Sequence, residues 1–404
     1  MSEKILKTIL FLSGETFLHG VGGISRVSDI LATEFERRGI SVFYLTTPDR
    51  NPPPANLVSS RQLFFPCRKF HGIARRRNAA FLENLIREKQ VSLIIFQDGA
   101  ASDFPLPEIV KKTGVRLFSV SHNLPDCWLK GLAVRHAREH RGIFDKWLFP
   151  LRVWRHRRRQ ISRMRLNYKI SDKIVLLSEG FRRGHLAFLK NGDVAQKITA
   201  IGNPATFPPQ SVDFSAKKRE LLFVGRMDNG QKRVDLLLQI WAKLEARFSA
   251  WSLRLVGGGY DFDEIRALAK TLGLRRAFFE GYQKPEKFYR DASIFCMTSA
   301  YEGFGMVLVE ASAFGCVPVA FDSFAAVHDI ISDGENGALV PAFDLEKYAE
   351  TLARLMTNDA ERELLARAAL KIPEKFSPEK IGARWEKLFE EILKTSARER
   401  AFQL

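Results

Sequence analysis

Cysteine is scarce in this sequence, and long apolar runs are missing from it. The four cysteines, Cys67, Cys127, Cys296 and Cys316, stand far apart with no C-x-x-C pair, so neither a disulfide framework nor a zinc site is indicated and a reducing compartment fits. No stretch approaches the ~18 consecutive apolar residues that a membrane-spanning helix needs. The first residues, Met1-Ser2-Glu3-Lys4, run straight into Thr8–Leu12, an apolar stretch too short for a secretory leader. A cytoplasmic protein is therefore expected, with any membrane contact peripheral. Solenoid-period repeats and low-complexity tracts are also absent. Acids are in deficit: 46 Asp and Glu face 63 Lys and Arg, a net charge of +17.

What is present is an ordinary globular composition, 46% hydrophobic and 27% charged over 404 residues. Domains run to roughly 100–200 residues, which predicts two. Short apolar runs alternate with helical patterns. Thr8–Ser13, Ile40–Leu45, Ser92–Phe96, Val115–Val120 and Lys173–Leu177 read as strands, with helices such as Ile24–Arg38 and Asn78–Lys89 between them. The rhythm stops at Ile201-Gly202-Asn203-Pro204 and restarts with strands near Leu221–Gly225, Ser252–Gly257, Ala277–Glu280, Ser293–Met297 and Val317–Ala320. The fold class expected is α/β, two doubly wound Rossmann-like domains facing across a cleft at the carboxyl ends of their strands. The boundaries are set at 1–205 and 206–384. Pro378–Arg400 reads as a long amphipathic helix.

The positive charge is local. Between Lys130 and Lys169, thirteen Lys and Arg meet only Glu139 and Asp145, a segmental excess of +11. Within it Phe144, Trp147, Leu151, Trp154, Ile161 and Tyr168 recur at near-helical spacing, with Pro150 expected to interrupt or start a helix. Trp147 and Trp154 beside Arg155, Arg157, Arg158 and Arg159 fit a helix lying on an anionic membrane surface. A basic helix whose aromatics pack on its own domain is the plainer reading. Nucleic acid would be drawn by charge, but no recognised reading element accompanies it.

The strongest chemical signal is Ser299-Ala300-Tyr301-Glu302-Gly303-Phe304-Gly305-Met306-Val307-Leu308-Val309-Glu310. It follows an apolar strand and opens a helix, so backbone N–H groups of the glycine turn sit at a helix N-terminus, a place for an anion. Glu302 in the turn and Glu310 two helical turns on could hold separate hydroxyls of one extended ligand. Read plainly, they are a helix-starting acid and a solvated surface glutamate. The glycines of His19-Gly20-Val21-Gly22-Gly23 suit a tight turn against a ligand or a packed turn alone. They do not complete the dinucleotide pattern G-x-G-x-x-G, because Ser25 stands where its last glycine would. His122 ends a strand at the expected cleft edge, where a structural histidine is the plainer reading. Asp98-Gly99 is a weaker candidate for acceptor contact. Asp261-Phe262-Asp263 spells D-x-D, a metal-holding pattern elsewhere, but opens a helix where Asp serves as a cap.

Glu302 and Glu310, spaced E-x7-E around Gly-Phe-Gly, closely resemble the signature of the family-4 retaining glycosyltransferases (glycosyltransferase group 1). The resemblance takes in Phe223-Val224-Gly225-Arg226 with Lys232 and Asp235, then Leu255-Val256-Gly257-Gly258-Gly259 and Ile331-Ser332-Asp333-Gly334-Glu335-Asn336-Gly337, covering nearly all of 220–357. It implies the GT-B fold, with a final helix of about 385–404 returning to the N-terminal domain, and a metal-independent hexosyltransferase without cofactor that uses a UDP- or GDP-sugar. By the same resemblance Glu310 holds the donor ribose and Glu302 lies beside the transferred sugar. Arg226 and Lys232 bind the diphosphate, where fixed cations stabilise growing negative charge, although either could be a solvated loop cation. Donor contact extends to Gly22, Gly23, Gly225, Gly303, Phe304, Gly305, Met306, Val307 and Leu308, and His122 meets the donor sugar. Transfer is expected onto a glycan or lipid-linked acceptor in bacterial-type surface polysaccharide or lipopolysaccharide assembly, at the inner face of the cytoplasmic membrane. One departure touches donor identity: Ala325-Ala326-Val327-His328-Asp329 stands where many members have Gly-Gly-x-Pro-Glu. A GT-B-type nucleotide-sugar epimerase would share the cleft without an acceptor site. A non-catalytic basic protein binding nucleotide or nucleic acid is the alternative from another class.

Overall fold

The computed structural model describes residues 6–18, 22–50, 53–97, 103–125, 127, 143–189 and 195–394, without the side chains of 143–147 and 393–394. The chain divides into two compact units. One comprises Met1–Asp126, Arg141–Pro204 and Pro378–Leu404, the other Cys127–His140 and Ala205–Ser377.

The first unit holds β1 (Thr8–Ser13), β2 (Ser41–Thr46), β3 (Gln62–Phe64), β4 (Val91–Phe96), β5 (Arg116–Ser121), β6 (Lys173–Leu176) and β7 (Ile198–Ala200) in the order β3-β2-β1-β4-β5-β6-β7. Every pairing is parallel. The burial of all six residues of β1 is what a strand covered by helices on both faces requires. The helix Pro378–Lys394 belongs to this unit: Trp385 and Phe389 meet Phe35, with ring centroids 6.3 and 5.4 Å apart, and Phe118 at 6.5 and 5.9 Å. Arg38 fastens the same helix, bonding the buried Glu34, the Glu386 carboxylate and the Glu379 carbonyl. Residues 395–404 of the expected last helix lie outside the described residues.

The helix Ile143–Ile170 changes character along its length. It carries Pro150 inside it rather than being interrupted there. Met164, Asn167, Tyr168 and Ile170 are buried, whereas Leu148, Leu151 and Trp154 are about half exposed at 49%, 51% and 52%. Arg155, Arg157, Arg158 and Arg159 are exposed beside them, and the Arg158 guanidinium lies 4.7 Å from the Trp154 ring. Trp154 is therefore not packed into the domain. The Trp147 side chain lies outside the described residues.

The second unit holds β8 (Lys218–Val224), β9 (Ser252–Val256), β10 (Ala277–Gly281), β11 (Ala292–Met297), β12 (Val317–Asp322) and β13 (Ala338–Pro341), ordered β10-β9-β8-β11-β12-β13 and again parallel. Strand order reverses between β8 and β11, which is where an open α/β sheet leaves a crevice. The helix Val234–Leu244 buries Trp241 and Leu237 against Leu253, Ile294 and Tyr348 in one core. The three strands unforeseen from sequence, β3, β7 and β13, all lie at sheet edges and are three or four residues long. Short edge strands carry little apolar patterning to read.

Glycines bring two loops of this unit into backbone contact. A Cβ on Gly257 would lie 1.9 Å from the Gly225 carbonyl oxygen, and one on Gly259 would lie 2.3 Å from that of Met227. Hydrogen bonds from Met227 N to Gly258 O (2.9 Å) and Gly225 N to Val256 O (3.0 Å) lock the contact. Gly257→Ala, which also meets a φ of +137°, should destabilise the protein by about 3 kcal/mol or more. Gly258→Ala, with no atom within 4 Å of its Cβ, should change stability by less than about 0.5 kcal/mol. Urea unfolding of the two variants checks the contrast.

Candidate functional site

The loop after β8 is built around Asp228. Its Oδ1 accepts the Gly230 and Gln231 N–H groups at 2.8 and 3.1 Å, and its carbonyl accepts those of Lys232 and Arg233. Its Oδ2 accepts the Arg226 Nε and Nη2 at 3.2 and 2.9 Å. This tight turn presents Arg226, half exposed, and Lys232, mostly buried, at the carboxyl end of β8.

The loop after β11 comes alongside. Thr298 Oγ1 donates to the carbonyls of Lys232 and Arg233, and Ala300 N–H donates to the Gln231 carbonyl at 2.7 Å. Glu302, 7% exposed, meets the Lys232 Nζ at 2.5 Å. Both carboxylates expected from sequence are thus buried, which rules out the solvated reading. A buried carboxylate needs partners, and Glu310 has them: Thr206 Oγ1 donates to its Oε1 at 2.9 Å and Tyr289 OH to its Oε2 at 3.0 Å.

Between the two glutamates the chain turns through Gly305 at φ +92°, and the helix Met306–Ala313 begins. Phe324 packs where a Gly305 Cβ would sit, 3.3 Å away. The Phe304 side chain is buried against Phe376, with centroids 5.1 Å apart. Leu308 is also buried, and its N–H donates to the Gly305 carbonyl at 2.9 Å. Of the backbone donors expected from Gly303 to Leu308, that of Leu308 is thereby committed within the chain.

The other expected residues belong to the first unit. Gly22, at φ +77°, precedes the helix Gly23–Arg37, and a Cβ on either Gly22 or Gly23 would meet open space. Their conformation fits a turn that keeps ligand space clear. His19, Gly20, Val21, Asp98 and Gly99 lie outside the described residues. His122 follows β5, and its Nε2 meets Gln97 Oε1 at 2.6 Å. Gln97, buried at the end of β4, bonds Ser28 Oγ in turn. The residue before His122 is held too: Ser121 Oγ donates to the Asn123 carbonyl and meets His185 Nε2, whose Nδ1 meets Tyr168 OH at 3.1 Å.

One expectation needs correction. Asp261 occupies the N-cap position of the helix Phe262–Thr271 but makes no side-chain cap bond. Its carboxylate instead accepts the Asn229 N–H at 2.7 Å, which braces the Arg226–Lys232 loop. Among the described residues no group of three or more His, Cys, Asp or Glu is arranged to hold a metal. In the segment that departs from the family pattern, His328 Nε2 bonds Asp322 Oδ1 at 2.8 Å. Gln231, Asp228, Thr206, Tyr289 and Gln97 escaped the sequence reading, because their partners lie far along the chain or within one turn and no spacing signals them.

Burial pushes both His122 and His185 down to about 4 from the usual 6.5. Between those values the unfolded chain takes up protons that the folded chain refuses, so stability is full above about 6.5 and falls as pH drops toward 4. The urea midpoint should therefore fall from pH 7 to pH 5, and by less in His185→Gln. Equal slopes for the two proteins would show that His185 is not a source of the pH dependence.

Comparison with known proteins places this geometry. Residues 207–372 match the family of glycosyl transferases group 1, and residues 21–204 match glycosyltransferase family 4. An uncharacterized glycosyltransferase of Haemophilus influenzae is 24% identical over 380 residues, 90% of this chain and 95% of its own. The Campylobacter jejuni GalNAc-α-(1→4)-GalNAc-α-(1→3)-diNAcBac-PP-undecaprenol α-1,4-N-acetyl-D-galactosaminyltransferase is 24% identical over 357 residues, 80% of this chain and 96% of its own. Among solved structures, the apo form of the lipopolysaccharide outer core galactosyltransferase WaaB shares the fold with a TM-score of 0.68 at 22% identity, covering 95% of this chain and 99% of that one. Both halves of the sequence, and both doubly wound sheets, agree: the chain belongs to the family-4 glycosyltransferases and has the GT-B fold.

Proposed function

We propose that this glycosyltransferase is retaining and metal-independent, and moves a hexose from a UDP- or GDP-sugar to a glycan or lipid-linked acceptor in surface polysaccharide or lipopolysaccharide assembly. The observation that carries the reading is the cluster at the β8/β11 reversal. Arg226 and Lys232 stand beside the buried Glu302, and the helix that begins at Gly305 carries the buried Glu310. Phosphate favours fixed cations and a helix N-terminus. In the reaction the bond from the anomeric carbon to the diphosphate oxygen breaks, and its electron pair leaves with the nucleoside diphosphate. Arg226 and Lys232 stabilise that charge in place of a metal. The acceptor oxygen bonds the anomeric carbon on the same face, and its proton passes to the departing phosphate oxygen. Glu310 holds the ribose. Glu302, ion-paired to Lys232, contacts the transferred sugar and is not a nucleophile. His122, neutral and oriented by Gln97, contacts the sugar as well.

The acceptor setting draws on the names of the relatives and on the Ile143–Ile170 helix. Leu148, Leu151 and Trp154 recur every third residue among exposed arginines, a profile suited to an anionic lipid surface on the cytoplasmic side. Such peripheral contact needs no spanning segment, and no helix among the described residues is long and apolar enough to cross a membrane.

A screen of UDP- and GDP-sugars for donor-dependent nucleotide release with EDTA present tests the reaction. Wild type should release nucleotide with one donor class; Lys232→Ala should lose at least about a hundredfold, the scale of losing one charge-stabilising group, and Glu310→Ala about tenfold or more, the scale of losing a hydrogen bond to a charged group. Complete inhibition by EDTA would overturn metal independence, and the absence of turnover with any donor and acceptor would overturn the transferase reading of the site. Flotation with anionic vesicles tests the surface. Replacing Arg155, Arg157, Arg158 and Arg159 with Gln should abolish binding at low salt, and unchanged binding would remove this helix from the membrane contact.

A further inference from the structure

Gln231 lies between the two charged groups assigned to opposite ends of the donor's reacting segment. Its Oε1 accepts the Arg226 Nη2 at 2.8 Å. Its Nε2 donates to the Tyr301 carbonyl at 3.3 Å and, at a longer 3.5 Å, to Glu302 Oε2. The amide cannot be turned the other way: a guanidinium only donates, while a carbonyl and a carboxylate only accept. We propose that Gln231 is a positioning residue that couples the diphosphate-binding Arg226 to the sugar-side Glu302, so that both meet the donor as one preorganised unit. This rests on the reading of the β8/β11 cluster as the donor site.

The need for such a residue follows from Arg226 itself. Its side chain is 51% exposed, and an exposed arginine carries rotamer entropy that ligand binding would have to remove. Asp228 holds the guanidinium from one side and Gln231 from the other. Asp228 belongs to the same turn as Arg226. Gln231 both bonds Arg226 and reaches the loop after β11, where Lys232 of the same turn already holds Glu302. Its chemistry suits the place because a primary amide donates and accepts at once without bringing charge. A glutamate here would keep the bond to Arg226 but set a second carboxylate against Glu302 and the Tyr301 carbonyl. A leucine would make neither contact.

The backbone of Gln231 is anchored independently of its side chain. Its N–H donates to Asp228 Oδ1 at 3.1 Å, and its carbonyl accepts from Ala300 N–H at 2.7 Å. Substitution of the side chain should therefore leave the fold intact, with the melting temperature as the control.

Titration calorimetry of wild type, Gln231→Leu and Gln231→Glu with UDP, GDP, UMP and GMP tests the coupling. The expected result is a loss of about tenfold or more in nucleoside diphosphate affinity in both variants, since each loses a bond to a charged group. Affinity for the matching monophosphate should stay within about twofold, because that nucleotide ends before the segment that Gln231 organises. With the sugar donor, Gln231→Leu should lower kcat more than it raises KM. Unchanged diphosphate affinity would overturn the proposal, as would an equal loss for mono- and diphosphate, which marks a merely structural residue. Wild type that binds none of the four nucleotides would instead overturn the donor-site reading on which the proposal stands.

Discussion

The reversal of strand order between β8 and β11 is the constraint on which the second unit depends. Helices leaving these neighbouring strands pass to opposite faces of the sheet, so their loops part at the carboxyl edge and leave room for a ligand. Loops that part must still be held. Here the holding is done by backbone and charge together. Gly257 and Gly259 let one loop press on the Gly225–Met227 backbone, and the Lys232–Glu302 pair spans the gap between β8 and β11 at 2.5 Å. A pair this buried contributes less to stability than to geometry, because desolvation offsets most of its Coulombic gain. Its value lies in fixing where two charges stand.

Charge is used differently in the two parts of the molecule. At the β8/β11 cluster Arg226 and Lys232 are matched one for one by Asp228 and Glu302, so each cation is held in place by a partner in the chain. The excess that makes the chain +17 is concentrated elsewhere, on and before the outer half of the Ile143–Ile170 helix. On the helix Arg155, Arg157, Arg158 and Arg159 are exposed beside the half-exposed Leu151 and Trp154, so their effect is long-range and screened by salt.

The sheet cores were legible because buried parallel strands are nearly continuous apolar runs: Thr8–Ser13 and Val317–Ala320 are read directly from composition. The edge strands β3, β7 and β13 carry no such run. At the site, Glu302, Gly305 and Glu310 stand close in sequence on a strand–turn–helix unit, so their spacing is informative. The partners of Glu310 are not: Thr206 precedes it by 104 residues and Tyr289 by 21, and only folding brings them together. Asp261 shows a third limit. A residue at a helix start is read as a cap, yet its carboxylate had a better use bracing the neighbouring loop at Asn229.

Both units solve one local problem in the same chemical way. Near the reversal between β1 and β4, Gln97 pairs with His122 and reaches Ser28. Near the reversal between β8 and β11, Gln231 accepts from Arg226 and donates toward Glu302. In each case a side chain must bridge two polar groups on different loops at a partly desolvated strand edge. A carboxylate or an ammonium could satisfy only one kind of partner and would bring a charge needing its own compensation. An amide offers a donor and an acceptor on one rigid plane, fixing the orientation of its neighbours without altering their ionisation. Each bridge is made without adding a charge to a strand edge where an unmatched one would need its own partner.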